Sequence, residues 1–255
     1  MDTKYRSETT ELMDDFGMQG AELTDALEKI AWINRVLGGN KLSVTAVKKI
    51  AQAHKERRLH VLDLGCGNGD MLRAIADRAK EENLDFRMTG IDANPFTVLH
   101  AVNRSEGYTH LEYLCRDMLE MDFREVSCDI VLLTLTLHHF TDEQIVTLLT
   151  QLLQHTRLAI VINDLHRSRL AYGLFVLLSK VFRLGRVNSI DGRLSILRGF
   201  KRLELEQLAR KLKLNKNQYS IRWKWAFRYQ WIITTYERND QDSKQGPAGL
   251  FADNS

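Results

Sequence analysis

The sequence is poor in the residues that punctuate or staple a small fold. It has two prolines and three cysteines in 255 residues. So few prolines, with fifteen glycines, exclude a Pro/Gly-rich low-complexity chain. Cys66, Cys115 and Cys128 are too few and too scattered for a disulfide framework. None lies in the C-x-x-C pair of a structural zinc site. Cys115 and Cys128 are read as small buried hydrophobes. An excess of one charge is also missing: 36 basic against 33 acidic side chains leave +3. That is too little for the basic stripe of a nucleic-acid binder. The longest apolar run, Leu170 to Ser179, is about half of the roughly 20 residues that a membrane span needs. The N-terminus has no apolar stretch behind a positive cap, as a secretory signal would. A soluble, cytoplasmic chain with no integral membrane segment is expected.

What is present is an ordinary globular composition, 44% hydrophobic and 27% charged. Such a length suits one large α/β domain, or a domain with a small cap. Residues 1–19 are polar and read as flexible. Leu23, Leu27, Ile30 and Leu37 then recur at helical spacing, and Gly38-Gly39 ends that helix. A second helix is expected over Ser43–His54. Residues 1–56 thus read as an N-terminal helical cap or lid.

From Leu59 strands and helices alternate. Strands are expected at Leu59–Leu64, Phe86–Ile91, Leu111–Cys115, Asp129–Thr134 and Leu158–Ile162. Helices are expected at Asp70–Glu82, Pro95–Arg104 and Thr141–His155, the last opened by a Thr141…Gln144 capping box. Alternation of this kind means a parallel sheet with both faces covered. An apolar helical insertion at about 167–190 comes next, with Leu170, Leu174, Leu177 and Val181 at helical spacing, and then a helix over Leu203–Leu212. Tyr219–Phe227 and Tyr229–Glu237 are nearly contiguous and read as an antiparallel hairpin. Trp223 and Trp225 alternate on one face and read as core. The expected fold is α/β: a Rossmann-like parallel sheet over residues 57–238 with a terminal antiparallel hairpin. Residues 239–255 read as a disordered tail.

The strongest local signal is the strand–Gly65-x-Gly67-x-Gly69–helix turn. Glycines there let a ligand approach the backbone closely. A dinucleotide site would have its third glycine where Asp70 stands, and would place a pyrophosphate on the helix N-terminus. Asp70, with Asp63 just before the turn, would repel phosphate and suit a cationic ligand. Asp92 closes the second strand, where a carboxylate can accept from both ribose hydroxyls.

Val61 to Gly69, Gly90-Ile91-Asp92, Arg116-Asp117-Met118 and Asp129 to Phe140 together resemble, in order, the motifs of class I S-adenosylmethionine-dependent methyltransferases. Glu11 to Asp15, Ile33 to Gly39, Asn163 to His166 and Leu194 to Phe200 are similar to a bacterial small-molecule branch often associated with polyketide-type pathways. The resemblance implies S-adenosyl-L-methionine as cofactor and S-adenosyl-L-homocysteine as product. It also implies a small phenolic or polyketide-like acceptor and O-methylation, with C-methylation of a quinone-like ring or a non-catalytic binding protein as alternatives. By carry-over, Gly65, Gly67 and Gly69, with Cys66 and Asn68 between them, pass the methionine end. Asp63 orients the groups near the ammonium, and Asp92 and Ala93 meet the ribose. Asp117 accepts from the adenine amino group, Met118 packs on the ring, and Leu135 lies under the cofactor.

Methyl transfer to a phenol gains from a general base, and imidazole titrates in the right range. The candidates are His138 and His139 after the fourth strand and His166 after the fifth. Adjacent histidines point different ways, so at most one of the pair reaches the acceptor. Structural roles for all three remain the competing reading. No metal cluster is evident, which predicts metal independence. The acceptor, the methylated atom and the oligomeric state stay open.

Overall fold

The computed structural model describes residues 2–235. The expected tail at 239–255 and the end of the last expected strand lie outside them. Seven strands form one sheet: β1 (Leu59–Leu64), β2 (Phe86–Asp92), β3 (Leu111–Cys115), β4 (Cys128–Thr134), β5 (Thr156–Leu165), β6 (Tyr219–Lys224) and β7 (Arg228–Thr234). Their order is β3-β2-β1-β4-β5-β7-β6. The first five run parallel, while β7 is antiparallel to both β5 and β6. The Rossmann-like sheet with its terminal hairpin is therefore as expected. The order reverses between β1 and β4, and a ligand crevice opens at the carboxyl ends of strands at such a switch point.

The central strands are apolar runs because both their faces are covered. One face packs Leu62, Leu64, Val131 and Leu133 against α5 (Asp142–His155) and α8 (Arg202–Lys211). The other packs Val61, Ile130, Leu132 and Val161 against α2 (Gly39–Gln52) and α3 (Asp70–Glu82). Helix α4 (Pro95–Arg104) starts where Asn94 caps the amides of Phe96 and Thr97. The capping box at the head of α5 is present, with Thr141 and Gln144 as its partners.

Five local readings need correction, the last of them in the N-terminal segment. Helix α2 begins at Gly39, next to the end of α1 (Ala21–Val36), because Gly38 turns the chain at φ +75°. Strand β5 extends to Leu165, since β7 pairs along it as far as Leu165–Arg228. This carries Asn163 and Asp164 into the sheet. Cys115 is exposed, because β3 is an edge strand. Trp223 and Trp225 are 47% and 66% exposed, as β6 is the other edge, and the buried indole is Trp231 on β7.

Two helices, α6 (Arg169–Val181) and α7 (Arg186–Arg198), lie between β5 and α8. Helix α6 packs on α7 where Gly192 leaves room for Phe175; a Cβ at Gly192 would lie 2.1 Å from the ring. The N-terminal segment read as flexible is instead bonded along its length, forming a strap. Ser7 N donates to Leu197 O at 3.1 Å. Leu12 N and Met13 N donate to the Asp191 carboxylate at 2.8 and 3.0 Å. Asn94 Nδ2 donates to Met18 O at 2.9 Å.

Candidate active site

One crevice of about 690 Å³ runs along the carboxyl ends of the strands, from the glycine turn to the inner side of α6. That volume is within the range of small-molecule sites. Every position assigned above to the cofactor except Gly69 lines it: Asp63, Gly65, Cys66, Gly67, Asn68, Asp92, Ala93, Asp117, Met118 and Leu135. Gly69 serves packing instead, since a Cβ there would lie 2.3 Å from the Tyr113 hydroxyl.

Gly65 turns back at φ +73°, and a Cβ there would lie 2.9 Å from the Thr136 side chain. Asp92 Oδ2 accepts from Gly67 N at 3.1 Å and Oδ1 from Asn94 N at 3.0 Å, so the carboxylate is fixed in orientation. Burial raises its pKa against those hydrogen bonds. Asp63 is buried, and its Oδ1 has no hydrogen-bond partner. Burial, then the charges of Asp70 and Asp92, push its pKa up to about 8. Three carboxyl groups thus crowd this end of the crevice. Leu135 holds φ +56°, a conformation that costs a non-glycine residue roughly 1–3 kcal/mol and that clusters at functional sites. Its amide donates to Asn163 O at 2.9 Å.

The histidines separate clearly. The His138 side chain is 2% exposed, and its Nδ1 lies 2.7 Å from Asp164 Oδ1. Full burial opposes ionisation of Asp164, but the close imidazole and its hydrogen bond hold the carboxylate below its usual range. The His139 side chain is 27% exposed, and its Nδ1 lies 2.6 Å from Asp14 Oδ1. Burial opposes ionisation of Asp14, but His139 and Arg198 more than compensate and hold it low. Both rings line the crevice, with centroids 4.2 Å apart. His166 does not line it; its Nδ1 accepts from Trp223 Nε1 at 3.2 Å.

Several residues that gather at the histidines were not expected there from sequence. Glu11 Oε2 accepts from Ser195 Oγ at 2.7 Å, while the buried Oε1 has no hydrogen-bond partner and lies 3.6 Å from His138 Nε2. Burial pushes the Glu11 pKa up to about 7. Among the described residues, Glu11, His138 and His139 bring ligand-type atoms within 4.8 Å of one another. A cation beside this cluster is Arg198, 3.9 Å from Glu11 Oε1 and 2.7 Å from Asp14 Oδ2. Arg198 also donates to the carbonyls of His138 and His139 at 3.0 and 2.5 Å, so it fixes the histidine turn.

Arg228 is the second surprise. It is buried in the crevice wall against Gly39, and its Nη2 donates to Asn34 Oδ1 at 2.6 Å. Nε and Nη1 have no hydrogen-bond partner, and burial lowers its pKa to about 10. Next to Gly39, Asn40 Nδ2 donates to Asp70 Oδ2 at 2.7 Å and leaves its own Oδ1 unpaired. The glycine-turn carboxylates and a lone guanidinium therefore share one polar corner. Asn188 on α7 is likewise buried on the crevice wall, with neither amide atom paired.

The family model described as a methyltransferase domain matches residues 61–158. Solved structures share the fold. A plantazolicin methyltransferase, BpumL, in complex with SAH is 20% identical, with 84% of this chain and 96% of that chain covered and a TM-score of 0.60. The magnesium protoporphyrin IX methyltransferase ChlM from Synechocystis PCC 6803, with bound SAM, is 13% identical over 79% of this chain and 81% of that one, at TM-score 0.51. The bifunctional kinase-methyltransferase WbdD is 15% identical, covering 78% of this chain and 40% of that one, at TM-score 0.53. No curated protein sequence matches the chain.

Proposed function

We infer that this chain, with its methyltransferase domain over residues 61–158, is an S-adenosylmethionine-dependent methyltransferase that O-methylates a small phenolic or polyketide-like acceptor. The observation that carries the reading is one continuous crevice. It joins the cofactor positions at the glycine turn to a carboxylate-held imidazole, His139, at the other end. The cofactor fits the residues present. A buried, unpaired Asp63 oxygen and two neighbouring carboxylates suit a ligand with an ammonium and a sulfonium and no phosphate. Bound there, S-adenosylmethionine supplies an electrophilic methyl group.

The remaining work falls to the protein. Asp92 and Asp117 hold the ribose and the adenine amino group, and Met118 packs on the ring. Arg228, with two unpaired donors in a polar corner beside Asp70, takes the methionine carboxylate. Asn188 hydrogen-bonds the acceptor. His139 accepts the phenolic proton, and Asp14 orients the ring and stabilises the imidazolium, a contribution of about 10²–10⁴-fold. His138 is a positioning residue, locked between Asp164 and Glu11. Holding donor and acceptor in line supplies up to roughly 7–11 kcal/mol in well-oriented models. No step calls on a metal ion; a turnover that fell with chelator and returned with Mg²⁺ would overturn that part.

The test is calorimetric titration with S-adenosylhomocysteine and, separately, NADH, on the wild type and Asp92→Ala. Micromolar binding of the first ligand alone, lost in the variant, is expected. Binding of NADH instead would overturn the reading. Turnover is then sought with phenols and quinols as acceptors.

A further inference from the structure

Helix α6 is apolar yet contributes little to the core. Of its 13 residues only Ala171 is buried. Phe175 and Leu178 line the crevice, and Leu174 does so while remaining 46% exposed. Leu170, Leu177 and Val181 do not line the crevice, and they are 62%, 59% and 65% exposed. The apolar face continues past the helix end, where Phe182 meets Trp32 of α1 with ring centroids 5.0 Å apart. Both rings are exposed. A contiguous apolar patch of this kind marks an interaction site.

Its charge names the partner. Residues 165–190 contain no Asp or Glu. They carry Arg169, Lys180, Arg183 and Arg186, all exposed. An acid at this end is Asp25, beside Gly185 and already paired with Lys29 at 2.8 Å. An apolar helix face fringed by a clear excess of cations is the signature of a helix lying in the interface of an anionic bilayer. Among the described residues no helix is long and apolar enough to cross a membrane, so such contact is peripheral. We propose that the outer face of α6, with Phe182 and Trp32, docks this enzyme on an anionic lipid surface. The inner face of the same helix opens the crevice to an acceptor dissolved in that bilayer. The acceptor is then amphiphilic: a phenolic head for His139 and an apolar tail along Leu174, Phe175 and Leu178. The docking stands on the surface alone; the acceptor class rests on the methyltransferase reading.

Vesicle flotation of the full chain, without cofactor or acceptor, tests the docking separately from that reading. The probes are phosphatidylcholine vesicles with and without 30% phosphatidylglycerol, a working composition of roughly physiological surface charge. Binding to the anionic vesicles, weakened by salt, is expected. Leu177→Glu with Val181→Glu should abolish it. Lys180→Glu with Arg183→Glu should weaken it at least tenfold. Both pairs lie off the crevice wall, so binding of S-adenosylhomocysteine serves as the check on folding. A chain that floats with neither vesicle overturns the proposal. So does equal flotation with both vesicles and both variants. A dimer in solution that the Leu177→Glu, Val181→Glu pair dissolves would assign the face to a second copy instead, and also overturns it.

Discussion

His139 Nδ1 lies 2.6 Å from Asp14 Oδ1, although 125 positions separate the two residues. A carboxylate at that distance fixes the ring's orientation and its tautomer, leaving the other nitrogen for chemistry. His139→Ala should therefore lower kcat by about 10²–10⁴-fold with the dissociation constant of S-adenosylhomocysteine unchanged. Asp14→Asn should lower it less, by about 10²-fold. Full activity in both variants would remove the base from the mechanism.

The neighbouring imidazole should behave differently. His138→Ala takes the imidazole from the buried Asp164 and leaves it only the amides of His138 and Leu165; breaking a buried pair costs about 3–5 kcal/mol in comparable cases. Thermal unfolding should show a large drop in Tm for His138→Ala and a small one for His139→Ala. Equal drops would mean that the two rings share one structural role.

Asp63 predicts a pH dependence whose sign is fixed. Its carboxyl sits near 8 in the folded chain, against about 3.9 when unfolded. The folded state holds this proton more tightly, so this group's contribution to stability falls as pH rises from about 4 to about 8. Asp63→Asn should thus raise the Tm of the ligand-free protein more at pH 8 than at pH 5. The same variant should bind S-adenosylmethionine at least tenfold more weakly, since it loses the carboxylate facing the ammonium. Identical shifts at both pH values would show that Asp63 ionises freely.

Arg228 offers a ligand comparison. Arg228→Met should weaken S-adenosylhomocysteine binding by about 10–100-fold, as expected for a charged hydrogen bond worth about 1.5–3 kcal/mol. Binding of methylthioadenosine, which has no carboxylate, should not change. Equal weakening of both ligands would make Arg228 a scaffold for α1 and α2.

The strand–helix alternation and the crevice-lining positions around the glycine turn were legible because they depend on local pattern. The Gly65–Gly69 turn, the polar end of β2 at Asp92 and the apolar run of β4 each carry their meaning within a few residues. Asp14 did not, because its role exists only once a polar, irregular segment is bonded to Asp191 and Arg198 across the fold. A signal was present in Glu11-Leu-Met-Asp-Asp15, whose two crevice-lining carboxylates are three positions apart. Arg228 left another: it is a cation at the head of a strand buried along its whole length. His166 misled, since its position after β5 is right while its ring turns to Trp223.

The strap has one more consequence. It supplies Asp14 to His139 and also lines the crevice, bonded to Leu197 toward one end and to Asn94 toward the other. With the strap lifted, ligands could exchange with solvent, but His139 would lack its carboxylate. On the proposed mechanism, closure and competence are then the same event. In that same proposed mechanism, the methyl donor meets the Asp14-held imidazole only with the strap seated and bulk water shut out, which guards against wasting the donor by hydrolysis.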